Sequence, residues 1–265
     1  MNSVDSAGAR IVYRVDGSGP GLVLVHGTGG DSESNWGHLV EHLACHWTVV
    51  RPNYSGSGET QDNGEPLTTA VLAAQVVAAA QAAGAVPFDL VGFSLGAAVA
   101  AFIAAEYPTL VRSVVLLAGF ASSGDSRQKM QFELWRDLIR ADRRSMARLV
   151  LLTGFSPAFL SALGDAAVAE SIEAIVSGNN WEGMARQVEL DLTIDVRDQV
   201  QRIAKPVLVI GCTHDHMVPD AHARQLAALI PGSRYAEMET GHLAALEQPA
   251  RFVALITDFL RRPAA

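Results

Sequence analysis

Gly92-Phe93-Ser94-Leu95-Gly96 decides how this chain is read. It follows the apolar run Phe88-Asp89-Leu90-Val91 and opens an Ala-rich segment, Ala97 to Glu106, that ends at Pro108. The order is strand, sharp turn, helix, with a serine at the tip. A serine on such a turn is forced into a strained backbone conformation with its hydroxyl above the sheet, and the residues two before and two after it must be tiny. Both are glycine. The bare pentapeptide recurs by chance; the strand before it and the helix after it make it a nucleophile elbow.

Outward from the elbow, apolar runs alternate with helical stretches. Strands are expected near Ile11–Val15, Leu22–His26, Thr48–Pro52, Phe88–Phe93, Ser113–Ala118, Val207–Cys212 and Tyr235–Glu239. Helices are expected near Trp36–Cys45, Thr68–Ala83, Leu95–Glu106, Ala221–Leu229 and Arg251–Arg261. Several strand runs are nearly continuous Val, Leu and Ile, as in strands covered on both faces. The repeating βα pattern implies an α/β fold with a mostly parallel sheet. From about Ser122 to Val200 the periodicity is helical, with no convincing strand. An all-helical insertion of this kind forms a lobe over the strand ends, where ligands bind. The expected division is therefore a core of residues 1–121 and 201–265 and a helical cap of 122–200. Gly29, Phe132, Trp135, Phe155 and Trp181 are the candidate pocket residues; the aromatics are equally readable as the cap's own core.

A serine hydroxyl is a poor nucleophile until a base takes its proton and a third group fixes that base. Val207-Leu208-Val209-Ile210 runs into Gly211-Cys212-Thr213-His214-Asp215-His216, which puts Asp215 just past a strand end. Glu237-Met238-Glu239-Thr240-Gly241-His242 puts His242 in a loop after the last strand. Alone, one is a turn aspartate and the other a loop histidine. In the order Ser94, Asp215, His242, all at strand ends on one sheet edge, they read as a catalytic triad. The reaction also needs donors for the developing oxyanion. The Leu95 backbone N–H is one. Leu22-Val23-Leu24-Val25 leads into His26-Gly27-Thr28-Gly29-Gly30, where the Thr28 N–H is the second candidate and Gly29 the alternative. His26 reads as a structural residue pinning that loop.

Composition narrows the class. The 265 residues are 49% hydrophobic, enough for one core with a small appended lobe. A net charge of −8 argues against a nucleic-acid or anionic-membrane partner. Met1-Asn2-Ser3-Val4-Asp5 has no signal-peptide pattern, and Leu67–Val86 holds Gln75 and Gln81, so it reads as a helix of the fold and not a membrane span. Two cysteines, Cys45 and Cys212, make no disulfide framework. The expectation is a cytoplasmic protein acting on a small molecule without metal or organic cofactor. The sequence is silent on oligomeric state.

Together these motifs resemble the α/β-hydrolase fold superfamily, most closely the small cofactor-free group of 3-oxoadipate enol-lactonases, pimeloyl-ester carboxylesterases and C–C bond hydrolases. The likeness runs from about Ile11 to Leu260 and includes Glu247-Gln248-Pro249 after His242. It implies an eight-stranded sheet with one antiparallel strand and a cap between strands six and seven. Many relatives carry Asp-x-Arg-Gly-x-Gly after the fourth strand; here it is Asn53-Tyr54-Ser55-Gly56-Ser57-Gly58. Losing both charges is either drift in a structural loop or an adaptation to an uncharged or bulky substrate. A dehalogenase is disfavoured because the nucleophile is a serine. His38-Leu39-Val40-Glu41-His42 matches an inverted zinc-peptidase pattern, and His214, His216 and His242 are a second conceivable metal set. A non-hydrolytic receptor of the same fold is a rival of a different class. The expected activity is a serine esterase or lactonase for substrates with a hydrophobic acyl or ring portion. Thioester and C–C cleavage are alternatives on the same residues.

Overall fold

The computed structural model describes residues 1–261. Its strands are β1 (Asn2–Ser6), β2 (Ala9–Asp16), β3 (Gly21–Val25), β4 (Thr48–Asn53), β5 (Gln61–Asp62), β6 (Phe88–Phe93), β7 (Val111–Leu117), β8 (Val207–Cys212) and β9 (Arg234–Met238). They form one sheet in the order β1-β2-β4-β3-β6-β7-β8-β9, with β5 pairing the flank of β2. From β4 to β9 every pairing is parallel, and β2 is antiparallel to β1, β4 and β5, so β2 alone runs against the rest. The path of eight strands with one reversed is the expected one; the two-residue β5 is an addition to it. β1 was not expected. Four of its five residues, Asn-Ser-Val-Asp-Ser, are polar, as suits an edge strand with exposed residues.

The apolar strand runs are explained by two cores, one on each sheet face. Val23, Val25, Leu90, Val114 and Val209 point to one, where the helices Thr69–Ala82 and Leu95–Glu106 pack. Leu22, Leu24, Val91, Val115 and Ile210 point to the other, with Trp36, Leu39, Leu43, Phe252 and Ile256. Alternate residues thus bury against opposite helical layers. The helix expected over Trp36–Cys45 begins earlier. It starts at Ser32, capped by the Asp31 side chain, and a 3-10 turn at Gly37–Leu39 separates the segments Ser32–Trp36 and Val40–Ala44.

Between β7 and β8 the chain makes four long helices, Ser126–Ala141, Arg143–Gly154, Pro157–Gly178 and Trp181–Asp191. Each begins on a short polar side chain accepting a backbone N–H of the first turn: Asp125, Asp142, Ser156 and Asn180. The third is kinked at Gly164. A Leu90→Ala change removes a fully buried side chain from the central strand and should cost about 2–5 kcal/mol. A lowered urea midpoint with an unchanged slope would show it.

Candidate active site

The elbow has the strain expected of it. Ser94 sits at φ 56°, ψ −121°, between the last residue of β6 and the helix Leu95–Glu106. Two close approaches impose the turn. A Cβ on Gly92 would strike the Gly96 carbonyl, and a Cβ on Gly96 would strike the carbonyls of Val25 and His26. The second collision is with the neighbouring strand and its loop, not across the turn, so helix and β3 are locked together. A Cβ built on Gly27 would lie 3.1 Å from Ser94 Cβ, which puts the loop after β3 directly against the serine.

That loop is held from several sides. Tyr54 Oη donates to the His26 and Gly27 carbonyls at 2.8 and 3.0 Å and its ring stacks on His26. His26 Nδ1 lies 2.8 Å from the Gly27 carbonyl and so carries the proton. Burial pushes the His26 pKa down to about 4, leaving the ring neutral. The N–H groups of Gly27, Gly29 and Gly30 are taken by Asn35 Oδ1, Gln187 Oε1 and Asn179 Oδ1 at 3.1, 2.9 and 2.6 Å. Of the two oxyanion candidates in the loop, Gly29 is therefore occupied and Thr28 is left. The Leu95 N–H is the first of its helix, among those with no intrahelical partner.

Asp215 and His242 meet beyond the ends of β8 and β9. His242 Nδ1 lies 2.7 Å from Asp215 Oδ2, and both side chains are buried. Asp215 Oδ1 accepts the N–H groups of Met217 and Val218, each at 2.8 Å, which fixes the carboxylate. The Phe93 ring packs on the imidazole at 4.8 Å. The histidine loop is tied down by Glu247, which accepts from Gly241 N at 2.9 Å and from Ser156 N and Oγ at 2.7 Å each.

Ser94 and His242 open onto one cavity of about 560 Å³. Gly29, Trp135 and Phe155 are in its wall, with Val150, Leu151, Met184, Met217 and Leu243, and Asn35 and Asn179 among the polar groups. Phe132 and Trp181 are not. Phe132 is wedged between Phe120 and Trp135, and Trp181 donates its indole N–H to the Val176 carbonyl under the Arg143 guanidinium. Both belong to the main hydrophobic core, continuous with the sheet and its helices. Met184 and Leu243 have a signal in hindsight: a bulky residue one turn from Gln187, and the residue next to His242.

The other singled-out residues fall elsewhere. Asn53, Ser55 and Ser57 are buried and bonded to protein: Asn53 bridges Ser32 N and Glu59, and Ser55 exchanges bonds with Gln75. None lines the cavity. The loop's lost charges are thus replaced by an internal polar network. His38 and His42 do not share a continuous α-helix, because the 3-10 turn intervenes, and His38 Nε2 bonds the Ala245 carbonyl at 2.9 Å. His214 and His216 are exposed on either side of the buried Asp215. Among the described residues no group of three or more His, Cys, Asp or Glu is placed to hold a metal, and no helix is long and apolar enough to cross a membrane.

Residues 20–249 match the family described as the alpha/beta hydrolase fold, and the chain belongs to it. It is 61% identical to the pyrrolizixenacetamide deacetylase of Xenorhabdus hominickii over 260 residues, 98% of each chain. Among solved structures it resembles the enol-lactonase of Burkholderia xenovorans LB400, with 26% identity, a TM-score of 0.89, and 98% of this chain and 100% of that one covered. It shares the fold of an esterase from Thermogutta terrifontis at 21% identity and a TM-score of 0.85, with 98% of each chain covered. It is a hydrolase enzyme.

One carboxyl stands out. Asp191 is 1% exposed; its Oδ2 accepts the Thr28 hydroxyl at 2.6 Å and its Oδ1 has no partner. Burial pushes its pKa up to about 8, against the downward pull of the Thr28 hydrogen bond. Its titratable neighbour is the Tyr54 phenol, itself pushed well up by burial and by the nearness of Asp191. Unfolded, Asp191 ionises near 3.8. Between the two values the folded chain holds a proton that the unfolded chain lacks, so this group's contribution falls as pH rises from about 4 to 8 and is level above. Asp191→Asn should remove that slope. Denaturant midpoints of wild type and variant, compared from about pH 4 to 9, should separate in the variant's favour; parallel curves would mean that Asp191 is ionised when folded.

Proposed function

We propose that the chain is a Ser-His-Asp hydrolase that removes a small acyl group, acetyl in the first instance, from an amide of an apolar amine. The observation carrying the catalytic reading is the 2.7 Å bond between His242 Nδ1 and Asp215 Oδ2, with His242 in the same cavity wall as Ser94. With Nδ1 turned to the carboxylate, Nε2 is the nitrogen free to take the Ser94 proton as Oγ attacks the carbonyl. Asp215 fixes the tautomer and stabilises the imidazolium. The N–H groups of Thr28 and Leu95 receive the oxyanion, His242 returns its proton to the leaving amine, and water activated by His242 releases the acyl group. Residues 122–200 act as a cap on a core of 1–121 and 201–265, whose last four residues lie outside the described ones. The enzyme works without metal, in the cytoplasm, a setting that suits its two free thiols.

The choice of an acetamide is supported by the 61% identical relative, whose name describes deacetylation. A second reading, a carboxylic ester or lactone with a hydrophobic acyl or ring portion, is favoured by the likeness to the enol-lactonase and by the apolar cavity wall.

Purified protein and a Ser94→Ala variant would be given 4-nitroacetanilide and the acetate, butyrate and octanoate esters of p-nitrophenol. The proposal expects turnover of the anilide and of the acetate ester, insensitive to EDTA and at least about 1000-fold lower in the variant. An inert anilide with a preference for the longer esters would favour the second reading. Labelling of Ser94 by a fluorophosphonate without any turnover would point to a receptor. Neither labelling nor turnover by folded protein would end the serine-hydrolase reading.

A further inference from the structure

We propose that Gln187 is a positioning residue for acyl transfer: from the helix Trp181–Asp191 it holds the Gly29 N–H, and in doing so aims the Thr28 N–H at the oxyanion. The proposal rests on the reading of Ser94 as nucleophile.

The loop from Gly27 to Asp31 has no secondary structure of its own. Gly29 and Gly30 both have positive φ, at 72° and 67°, so the segment has the freedom to move unless its N–H groups are held. Helices inserted between β7 and β8 hold it at three successive residues: Asp191 Oδ2 accepts from Thr28 Oγ1, Gln187 Oε1 from Gly29 N, and Asn179 Oδ1 from Gly30 N. Thr28 lies between the serine side of the loop and these anchors, so its own N–H points where they place it.

Gln187 makes the most side-chain hydrogen bonds of the three. It is fully buried, and its amide is gripped from the far side by Nε2 bonds to Ser57 Oγ at 2.8 Å and to the Ser55 carbonyl at 3.3 Å. Ser55 is fixed in turn by Gln75, on the core helix Thr69–Ala82. The Gln187 side chain is therefore a strut between two core loops, supplied by the helical insertion. Removing it leaves the half-buried Gly29 N–H without its side-chain acceptor, and the loop relaxes to satisfy it. An oxyanion donor must sit within a few tenths of an ångström of its target, and misplacement by about 1 Å costs about 100-fold in rate.

The test uses Gln187→Met, which keeps the side chain's bulk but not its polar atoms, and Gln187→Glu, which restores an acceptor for Gly29. Both would be compared with wild type and Ser94→Ala on p-nitrophenyl acetate. Gln187→Met should lower kcat by roughly 10- to 100-fold with KM within about twofold, and should weaken an arylboronic acid, whose tetrahedral adduct puts an oxygen in the anion site, by a similar factor. Gln187→Glu should recover at least half of the loss on a logarithmic scale. A folded Gln187→Met with wild-type kcat would overturn the proposal, as would a loss carried entirely by KM or one the boronate does not share. Should Gln187→Met fail to fold, Gln187→Asn decides. It shortens the arm by one methylene, should lower kcat about threefold or more at constant KM, and overturns the proposal if kcat is unchanged. Wild-type turnover by Ser94→Ala would instead remove the underlying reading, and the proposal with it.

Discussion

The close approach of the helix Leu95–Glu106 to the end of β3 is the constraint on which the site depends. Gly96 lies so near the carbonyls of Val25 and His26 that no side chain fits. The helix can start there only if the chain turns sharply after β6, and Ser94 absorbs that turn at φ 56°. Strain of this kind, of order 1–3 kcal/mol, is sustained by β6 being the sheet's central strand, with every residue buried between β3 and β7. The same contact brings the loop after β3 against the serine. One packing decision thus places a hydroxyl and a set of backbone donors within reach of each other. Parallel β8 and β9 then deliver Asp215 and His242 to the same edge.

What could be read from the sequence follows from this geometry. Ser94 follows β6 directly, and Asp215 and His242 lie in the short loops after β8 and β9; in a parallel sheet the loops after successive strands gather at one edge whatever the tertiary detail. The strand runs were legible because burial on both faces leaves no polar alternation to confuse them. β1 was not, because an edge strand exposed to solvent has no such pattern. The break at Gly37–Leu39 was hidden because Leu39 and Leu43 keep a helical spacing across it. For Phe132 and Trp181, bulk alone does not separate pocket from core. Which way an aromatic on an inserted helix faces depends on how that helix rotates against its neighbours, and helix-helix packing is not local in sequence. Gln187 and Asp191 were missed for the opposite reason. Spaced i, i+4 on a helix, they look like an ordinary solvated stripe, yet both are buried against the loop after β3. The only local trace is negative: the loop Asn53–Gly58 has lost its charges, and the neutral hydroxyls there are partners for an amide.

The inserted segment therefore does two things. Trp135, Val150, Leu151 and Phe155 give the cavity its apolar wall. Asn179, Gln187 and Asp191 satisfy polar groups of the core, which a lobe resting on the core by apolar contact alone would leave bare. Asp191 shows how far this goes. An ionised carboxylate with no cation beside it is too costly to bury, so the group stays protonated and serves as a neutral acceptor for Thr28. The cost moves to high pH, where ionisation would place a charge beside the buried Tyr54 and the loop after β3.

The cavity wall and the anchors of the proposed oxyanion loop share one helix. Met184 lines the cavity and lies within about 3.1 Å of where a Gly29 Cβ would be; Gln187 and Asp191 follow it on the helix Trp181–Asp191. A substrate pressing on Met184 presses on the element that anchors Thr28 and Gly29. Under the proposed mechanism, a ligand that seats without displacing the helix would find the donors in place, and one that pushes it aside would loosen them. Under the proposed mechanism, the apolar wall would not need to touch the reacting carbonyl to influence which acyl derivative is cleaved, because a poor fit would be passed to the Thr28 loop through this helix.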